Sequence, residues 1–243
     1  MKKRYLIILS LFLIISCLYT TRDSIPVLGY HNIVKDEEKE KISDRYTLSQ
    51  SQFMEQMQYL YDHQYQTLTL DEFYECYTTN KQFPKKSIVL TFDDGYASIN
   101  TIVKPILKQF NFQASCFVIG KHCIDDKEQF VKLKDMINDE TISFYSHSYN
   151  LHRFFQYQKI IETLSFEQIE KDFDKNKVDH TYFAYPYGKS VKDIESIFER
   201  KQVKMAFSYN QFHNASKWDD IYHIPRYAII DFMPMFYFQW IIK

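Results

Sequence analysis

Glycine is scarce in this chain, at four residues in 243. No internal repeat and no low-complexity linker is present, so repeat architectures are excluded. No C-x-x-C pair occurs, and a thiolate zinc site is therefore not expected. Beyond residue 17 the cysteines are Cys76, Cys116 and Cys123. An odd number at irregular spacing is no disulfide framework and leaves room for one bridge at most. Charge of neither sign dominates, with a formal net of -1, so the basic field that nucleic-acid binders use is missing. Nor is there an apolar run of the roughly 20 residues that a membrane-spanning helix needs.

What is present is an ordinary globular balance of 45% hydrophobic and 25% charged residues, which makes disorder a poor default. The length suits one domain with a large core. Aromatics are unusually frequent at 18%, nearly all Tyr and Phe, and most are expected in the core.

The N-terminus reads as an export signal. Lys2, Lys3 and Arg4 precede an apolar run over residues 6–15 that is broken by Ser10. Ile14-Ile15-Ser16-Cys17 resembles a bacterial lipoprotein cleavage box, with Cys17 as the lipidated first residue. The alternative is an uncleaved signal anchor in which Cys17 is an ordinary apolar residue. Either reading divides the chain into residues 1–20, signal or anchor, and residues 21–243, the working domain. Both place that domain outside the cytoplasm, on a membrane or the cell surface. Loss of residues 1–16 removes three cations and shifts the formal balance from -1 to -4.

Strand-like and helix-like segments then alternate. Short apolar runs at residues 27–30, 88–92, 114–119, 142–145, 182–185, 205–209 and 227–230 read as strands. Helical spacing marks residues 52–62, 99–110, 166–173 and 191–200. Residues 36–41 read as a solvated charged loop and residues 231–242 as a closing helix, with a membrane-facing segment as the lesser alternative. Such alternation predicts parallel strands joined by helices in an α/β barrel, with its site at the carboxyl ends of the strands.

Polar signals follow the strand runs, as that reading requires. Thr91-Phe92-Asp93-Asp94-Gly95-Tyr96 ends an apolar strand in two adjacent acids. Neighbouring side chains on a strand point opposite ways, but Gly95 permits a turn that lets one acid bind a metal while the other acts as a base. Read alone, Asp-Asp-Gly is a turn with a helix N-cap. Ser146-His147-Ser148-Tyr149-Asn150-Leu151-His152 carries two imidazoles that a loop can converge on one cation; read alone, these are two surface or core histidines. Phe183-Ala184-Tyr185-Pro186-Tyr187-Gly188 ends a strand in an irregular backbone able to aim an N–H at a reacting oxygen. A plain strand-to-helix turn is the equal alternative. Val27-Leu28-Gly29-Tyr30-His31 puts a histidine at the end of the first strand. Of the four glycines, Gly29, Gly95 and Gly188 all fall in these motifs.

Taken together, these residues resemble the polysaccharide deacetylases of the NodB-homology type, carbohydrate esterase family four. The likeness runs from about residue 27 to residue 230 and rests on T-F-D-D-G and H-S-x-x-x-x-H in that order. The histidine pair is one residue wider than the usual H-[ST]-x-x-H. With G-Y-H near the start, F-P-K-K-S, A-Y-P-Y-G and I-P-R, it resembles the branch of poly-N-acetylglucosamine deacetylases acting on biofilm exopolysaccharide, whose motifs are circularly permuted. The resemblance implies an irregular (β/α) barrel and a hydrolase that removes acetyl groups from a surface polysaccharide. It implies Asp94, His147 and His152 as ligands of one divalent metal, Zn foremost, with Co, Ni or Fe able to occupy similar sites. It implies Asp93 as general base, Tyr187 as donor of an oxyanion N–H and His31 as general acid, with His223 the fallback. The usual family pairs its base with an Arg in the third motif. Ala184 stands there in this chain, and Arg226 is the candidate substitute. The polysaccharide is the expected partner, nucleic acid is not, and a monomer is expected. The alternatives are a peptidoglycan, chitin or xylan deacetylase of the same fold, or a non-catalytic glycan-binding domain.

Overall fold

The structure, a computed structural model, describes residues 23–125, 127–191 and 193–243. The export and anchor reading of residues 1–20 lies outside them. Eight strands form one curled sheet: β1 (Val27–Tyr30), β2 (Gln66–Thr67), β3 (Ser87–Phe92), β4 (Ala114–Val118), β5 (Ile142–Ser146), β6 (Tyr182–Ala184), β7 (Met205–Phe207) and β8 (Tyr227–Ala228). Their order is β7-β6-β5-β4-β3-β1-β8, with β2 against the start of β3, and every pairing within it is parallel. The segment before β8 joins the two edges. Ile224 N donates to the Ala206 carbonyl at 2.9 Å and Ser208 N to the Ile224 carbonyl at 2.8 Å. Tyr227 and Ala228 then pair with Leu28 and Gly29 of β1. The result is a curled, parallel α/β half-barrel, as the alternation predicted, with the irregular form that the resemblance implied.

Alternation along the strands divides the core. On β3, Ile88, Leu90 and Phe92 face outward and pack against helices, while Val89 points inward with Val27, Phe117, Tyr145, Tyr182 and Phe207. The lower barrel is thus filled by apolar and aromatic side chains. Thr91 and Asp93, continuing the inward row, mark where the filling turns polar.

The longer helices among the described residues are α1 (Gln50–Asp62), α2 (Leu70–Thr78), α3 (Lys104–Phe110), α4 (Phe166–Lys175), α5 (Glu195–Lys201) and α6 (Met235–Ile241). Capping boxes open α1, α2 and α4 at Ser49/Gln52, Thr69/Glu72 and Ser165/Gln168, each satisfying two backbone donors that a helix start leaves free. The burial of Phe53, Met57 and Leu60 at helical spacing seats α1 on the sheet.

Several boundaries differ from expectation. Residues 36–41 were expected as a loop and instead begin with a short helix, Asp36–Lys39, favoured by acids in its first turn. The helix expected over 99–110 is a π-helical turn, Ile99–Val103, running into α3. Pro105 lacks an N–H, so the hydrogen-bond register resets there. The helix expected over 191–200 starts later, at Glu195. Helix α2 was not foreseen, although Leu70, Phe73 and Cys76 give it a buried face. Cys76, Cys116 and Cys123 are buried free thiols. Among the described residues, no helix is long and apolar enough to cross a membrane.

Candidate active site

The carboxyl end of β3 delivers both acids to one cleft. Asp93 stays on the inward row with Val89 and Thr91. Asp94 would point outward by alternation, but its backbone is left-handed at φ 72°, followed by Gly95 at φ 76°. The turn brings the second carboxylate back over the barrel mouth. A Cβ on Gly95 would also meet Val118 at 2.6 Å, so this turn needs glycine for its space as well as its dihedral.

Asp93 sits 1% exposed inside a closed set of donors. Arg226 Nη1 donates to Asp93 Oδ1 and Nη2 to Oδ2, both at 2.8 Å, in a bidentate pair. Tyr209 Oη donates to Asp93 Oδ2 at 2.7 Å. Arg226 Nη1 also donates to Thr91 Oγ1 at 2.9 Å, and Thr91 Oγ1 donates to the Leu28 carbonyl at 2.7 Å. The guanidinium lies over the Tyr209 ring, 4.4 Å from its centroid, in cation–π contact. Burial by itself pushes the Asp93 carboxyl up, but the Arg226 guanidinium outweighs it and holds the group well below the usual carboxylate range. Asp93 is therefore ionised at neutral pH and fixed in orientation. Burial pushes the Tyr209 phenol well up, against the pull of Arg226, so it stays a donor. Close packing here explains Gly29: a Cβ at that inward position would meet Tyr209 Oη at 2.6 Å.

Asp94 meets two imidazoles. Its Oδ1 lies 3.6 Å from His147 Nε2 and 3.7 Å from His152 Nε2. The three ligand atoms fall within 4.8 Å of one another. His147 Nδ1 is 2.8 Å from the Ala184 carbonyl. A carbonyl only accepts, so Nδ1 carries the proton and Nε2 presents its lone pair toward Asp94. Burial pulls the His147 imidazole down to about 3 and also lowers that of His152, keeping both neutral as ligands must be. Burial pushes the Asp94 carboxyl up to about 6, and its Oδ1 is buried without a hydrogen-bond partner. An orphaned carboxylate oxygen facing two neutral imidazole nitrogens fits a divalent cation.

The loop carrying the histidines is pinned from α4. Asp172 accepts from Tyr149 N at 2.7 Å and Asn150 N at 2.8 Å, and Ser148 adopts a left-handed φ of 70°. Removing that anchor by Asp172→Ala is expected to lower divalent-metal affinity about 10–100-fold, the usual effect of losing a group that orients ligands. Titrating the metal-stripped variant with Zn by calorimetry checks this; wild-type affinity would show that the loop holds itself.

The other expected residues also reach the cleft. Tyr187 is left-handed at φ 59°, ψ 14°, and its ring stacks on His152 with centroids 4.0 Å apart. His31 follows β1, its ring 4.7 Å from that of Tyr46, with Nδ1 buried and unpartnered. His223 is instead paired with Asp220 at 2.9 Å and does not line the cleft. The cleft holds about 470 Å³ and joins Asp93, Asp94, His31, His147, His152 and Tyr187 with Asp44, Tyr46, Lys159 and Tyr209. Tyr209 escaped the sequence reading as a site residue. The signal lies in the apolar run over residues 205–209, where Tyr209 shares the parity of Met205 and Phe207, which point into the barrel.

A sequence profile described as polysaccharide deacetylase matches residues 80–206. The chain is 31% identical over 203 residues to a poly-beta-1,6-N-acetyl-D-glucosamine N-deacetylase of Staphylococcus aureus (strain MSSA476), covering 76% of this chain and 69% of that protein. Among solved structures it is similar to IcaB from Ammonifex degensii, with a TM-score of 0.73, 21% identity and coverage of 91% and 98% of the two chains. It is similar in fold also to the Streptococcus pyogenes deacetylase PplD in complex with acetate, with a TM-score of 0.72, 24% identity and coverage of 91% and 99%.

Proposed function

The chain belongs to the polysaccharide deacetylase family, and from that membership and the chemistry of its cleft we propose that it removes acetyl groups from the N-acetylglucosamine units of poly-β-1,6-N-acetylglucosamine. The observation that carries this reading is the pairing of two unlike carboxylates. Asp94 faces His147 and His152 with an unpartnered oxygen, while Asp93 beside it is locked to Arg226 and Tyr209.

Asp94, His147 and His152 hold one divalent ion, for which two imidazoles and a carboxylate suit Zn. When bound, the ion supplies Lewis-acid polarisation and acidifies water. The chain's own groups do the rest. Asp93 accepts the proton of the attacking water, its orientation set by the three hydrogen bonds from Arg226 and Tyr209. The backbone N–H of Tyr187 donates to the oxygen that becomes negative as the carbonyl turns tetrahedral, and the left-handed backbone there serves to aim it. His31 returns a proton to the sugar nitrogen as the C–N bond breaks. Acetate and a glucosamine unit leave. The polymer lies outside the cytoplasm, and residues 1–20 serve as the export signal or membrane tether of a monomeric domain.

Acetate release from poly-β-1,6-N-acetylglucosamine by metal-stripped protein, with Zn, Co, Ni and Fe restored one at a time, tests this. Activity is expected to vanish on stripping and return with Zn. Full turnover in excess chelator would overturn the metal role. Turnover on peptidoglycan or chitin oligomers but not on the β-1,6 polymer would move the enzyme to another glycan.

A further inference from the structure

The two walls of the cleft carry opposite, unneutralised charges. Asp44 stands on one wall beside Tyr46, whose ring contacts His31 at the end of β1. Lys159 stands on the other, with its ammonium over the Tyr187 ring at 5.0 Å and that ring stacked on His152 after β5. Strands β3 and β4 separate these positions around the rim. The Lys159 side is held in place by a hairpin in which Lys159 opposes Phe154, whose ring lies 5.1 Å from Tyr187.

Among the described residues neither group has an ion-pair partner. The Asp44 carboxylate accepts only local hydrogen bonds, from Tyr46 N at 3.3 Å and Thr47 Oγ1 at 2.9 Å. Nearby Lys39 reaches the Asp44 carbonyl at 3.3 Å but is committed to Asp231 Oδ2 at 2.8 Å. Arg45 points to the Phe232 ring. Beside Lys159, Arg153 adds charge of the same sign and donates to the Asn150 carbonyl. Asp172 on that side is occupied by two backbone amides.

We propose that Lys159 and Asp44 read the acetylation state of the sugars flanking the one being hydrolysed. This rests on the deacetylase reading, because the reaction itself converts a neutral acetamide into a cationic amine. A glucosamine neighbour is repelled by Lys159 on one side and attracted by Asp44 on the other. An acetylated neighbour is therefore preferred toward Lys159, and an already deacetylated one is accepted toward Asp44. Deacetylated runs then lengthen in a single direction, toward the chain end that leaves the cleft past Lys159. The lone charge difference between the walls is enough to bias each successive turnover.

The test uses β-1,6-linked glucosamine tetramers with the full-length metal-loaded protein. One tetramer is fully acetylated. Two isomers carry a single glucosamine on either side of the reacting unit. The wild type is expected to turn over one isomer more slowly than the acetylated tetramer and the other at least as fast. Lys159→Gln is expected to raise the slow isomer's rate, relative to the acetylated tetramer, by roughly a factor of five, the weight of one water-screened unit charge at contact distance. Lys159→Arg should restore the discrimination, Asp44→Asn should slow the favoured isomer, and raised salt should shrink both differences. Equal rates for the two isomers in the wild type, or an unchanged ratio in Lys159→Gln, would overturn the inference while leaving the deacetylase reading intact. Failure to release acetate from all three tetramers would overturn both.

Discussion

Asp93→Asn is expected to cut acetate release by about 10²–10⁴-fold, the usual weight of a positioned general base, while Zn binding persists. The two effects separate because Asp94, His147 and His152 meet one another without help from Asp93. Asparagine keeps nearly the same shape but cannot accept the proton of the attacking water. The substitution also removes the counter-charge of Arg226, which is 0% exposed. A buried ion left alone costs about 3–5 kcal/mol, so the variant is expected to unfold at lower denaturant. Rates measured well below its melting temperature, beside calorimetric metal titration, keep the two losses apart. Near-wild-type kcat in a folded, metal-loaded variant would remove Asp93 from the base role.

Arg226→Met is expected to produce the largest change in stability, again about 3–5 kcal/mol, because it strands an ionised carboxylate in the barrel. It also inverts a pH dependence. In the wild type the Asp93 carboxyl is held well below its unfolded value of about 3.9. Its contribution is therefore present above about pH 4 and lost as the pH falls through the depressed folded value. Without the guanidinium, burial is the dominant influence and raises the folded value. The folded variant then binds the proton more tightly than the unfolded chain, and its stability falls as pH rises above about 4. Between pH 4 and 7 the denaturant midpoint is expected to be level at this site in the wild type and to fall with rising pH in the variant, while below about pH 4 the wild type alone loses stability. The double variant Asp93→Asn/Arg226→Met is expected to recover part of the loss, since no charge remains unpaired. An Arg226→Met protein as stable as the wild type would show that the pair does not hold the barrel mouth together.

Much of the architecture is legible in the sequence. Short apolar runs with β-branched and aromatic residues identify the strands that carry the site, and Phe53, Met57 and Leu60 identify α1. The polar residues that follow those strands contain the chemistry, because a parallel barrel opens its mouth at strand ends. Less legible was whatever depends on hydrogen-bond register. Pro105 splits one expected helix, and short elements such as Asp36–Lys39 are set by local acids and neighbours rather than by periodicity.

Residue order alone determined that two acids, two imidazoles and an odd turn each follow an apolar strand run. What only the tertiary structure decided is who meets whom. Arg226 is 133 residues from Asp93, and its arrival depends on the segment before β8 bridging the two sheet edges. The left-handed backbone at Asp94 likewise overrides strand alternation. Such long-range pairings carry no local periodic trace, since they are selected by closure of the barrel and by the cost of leaving a buried charge alone.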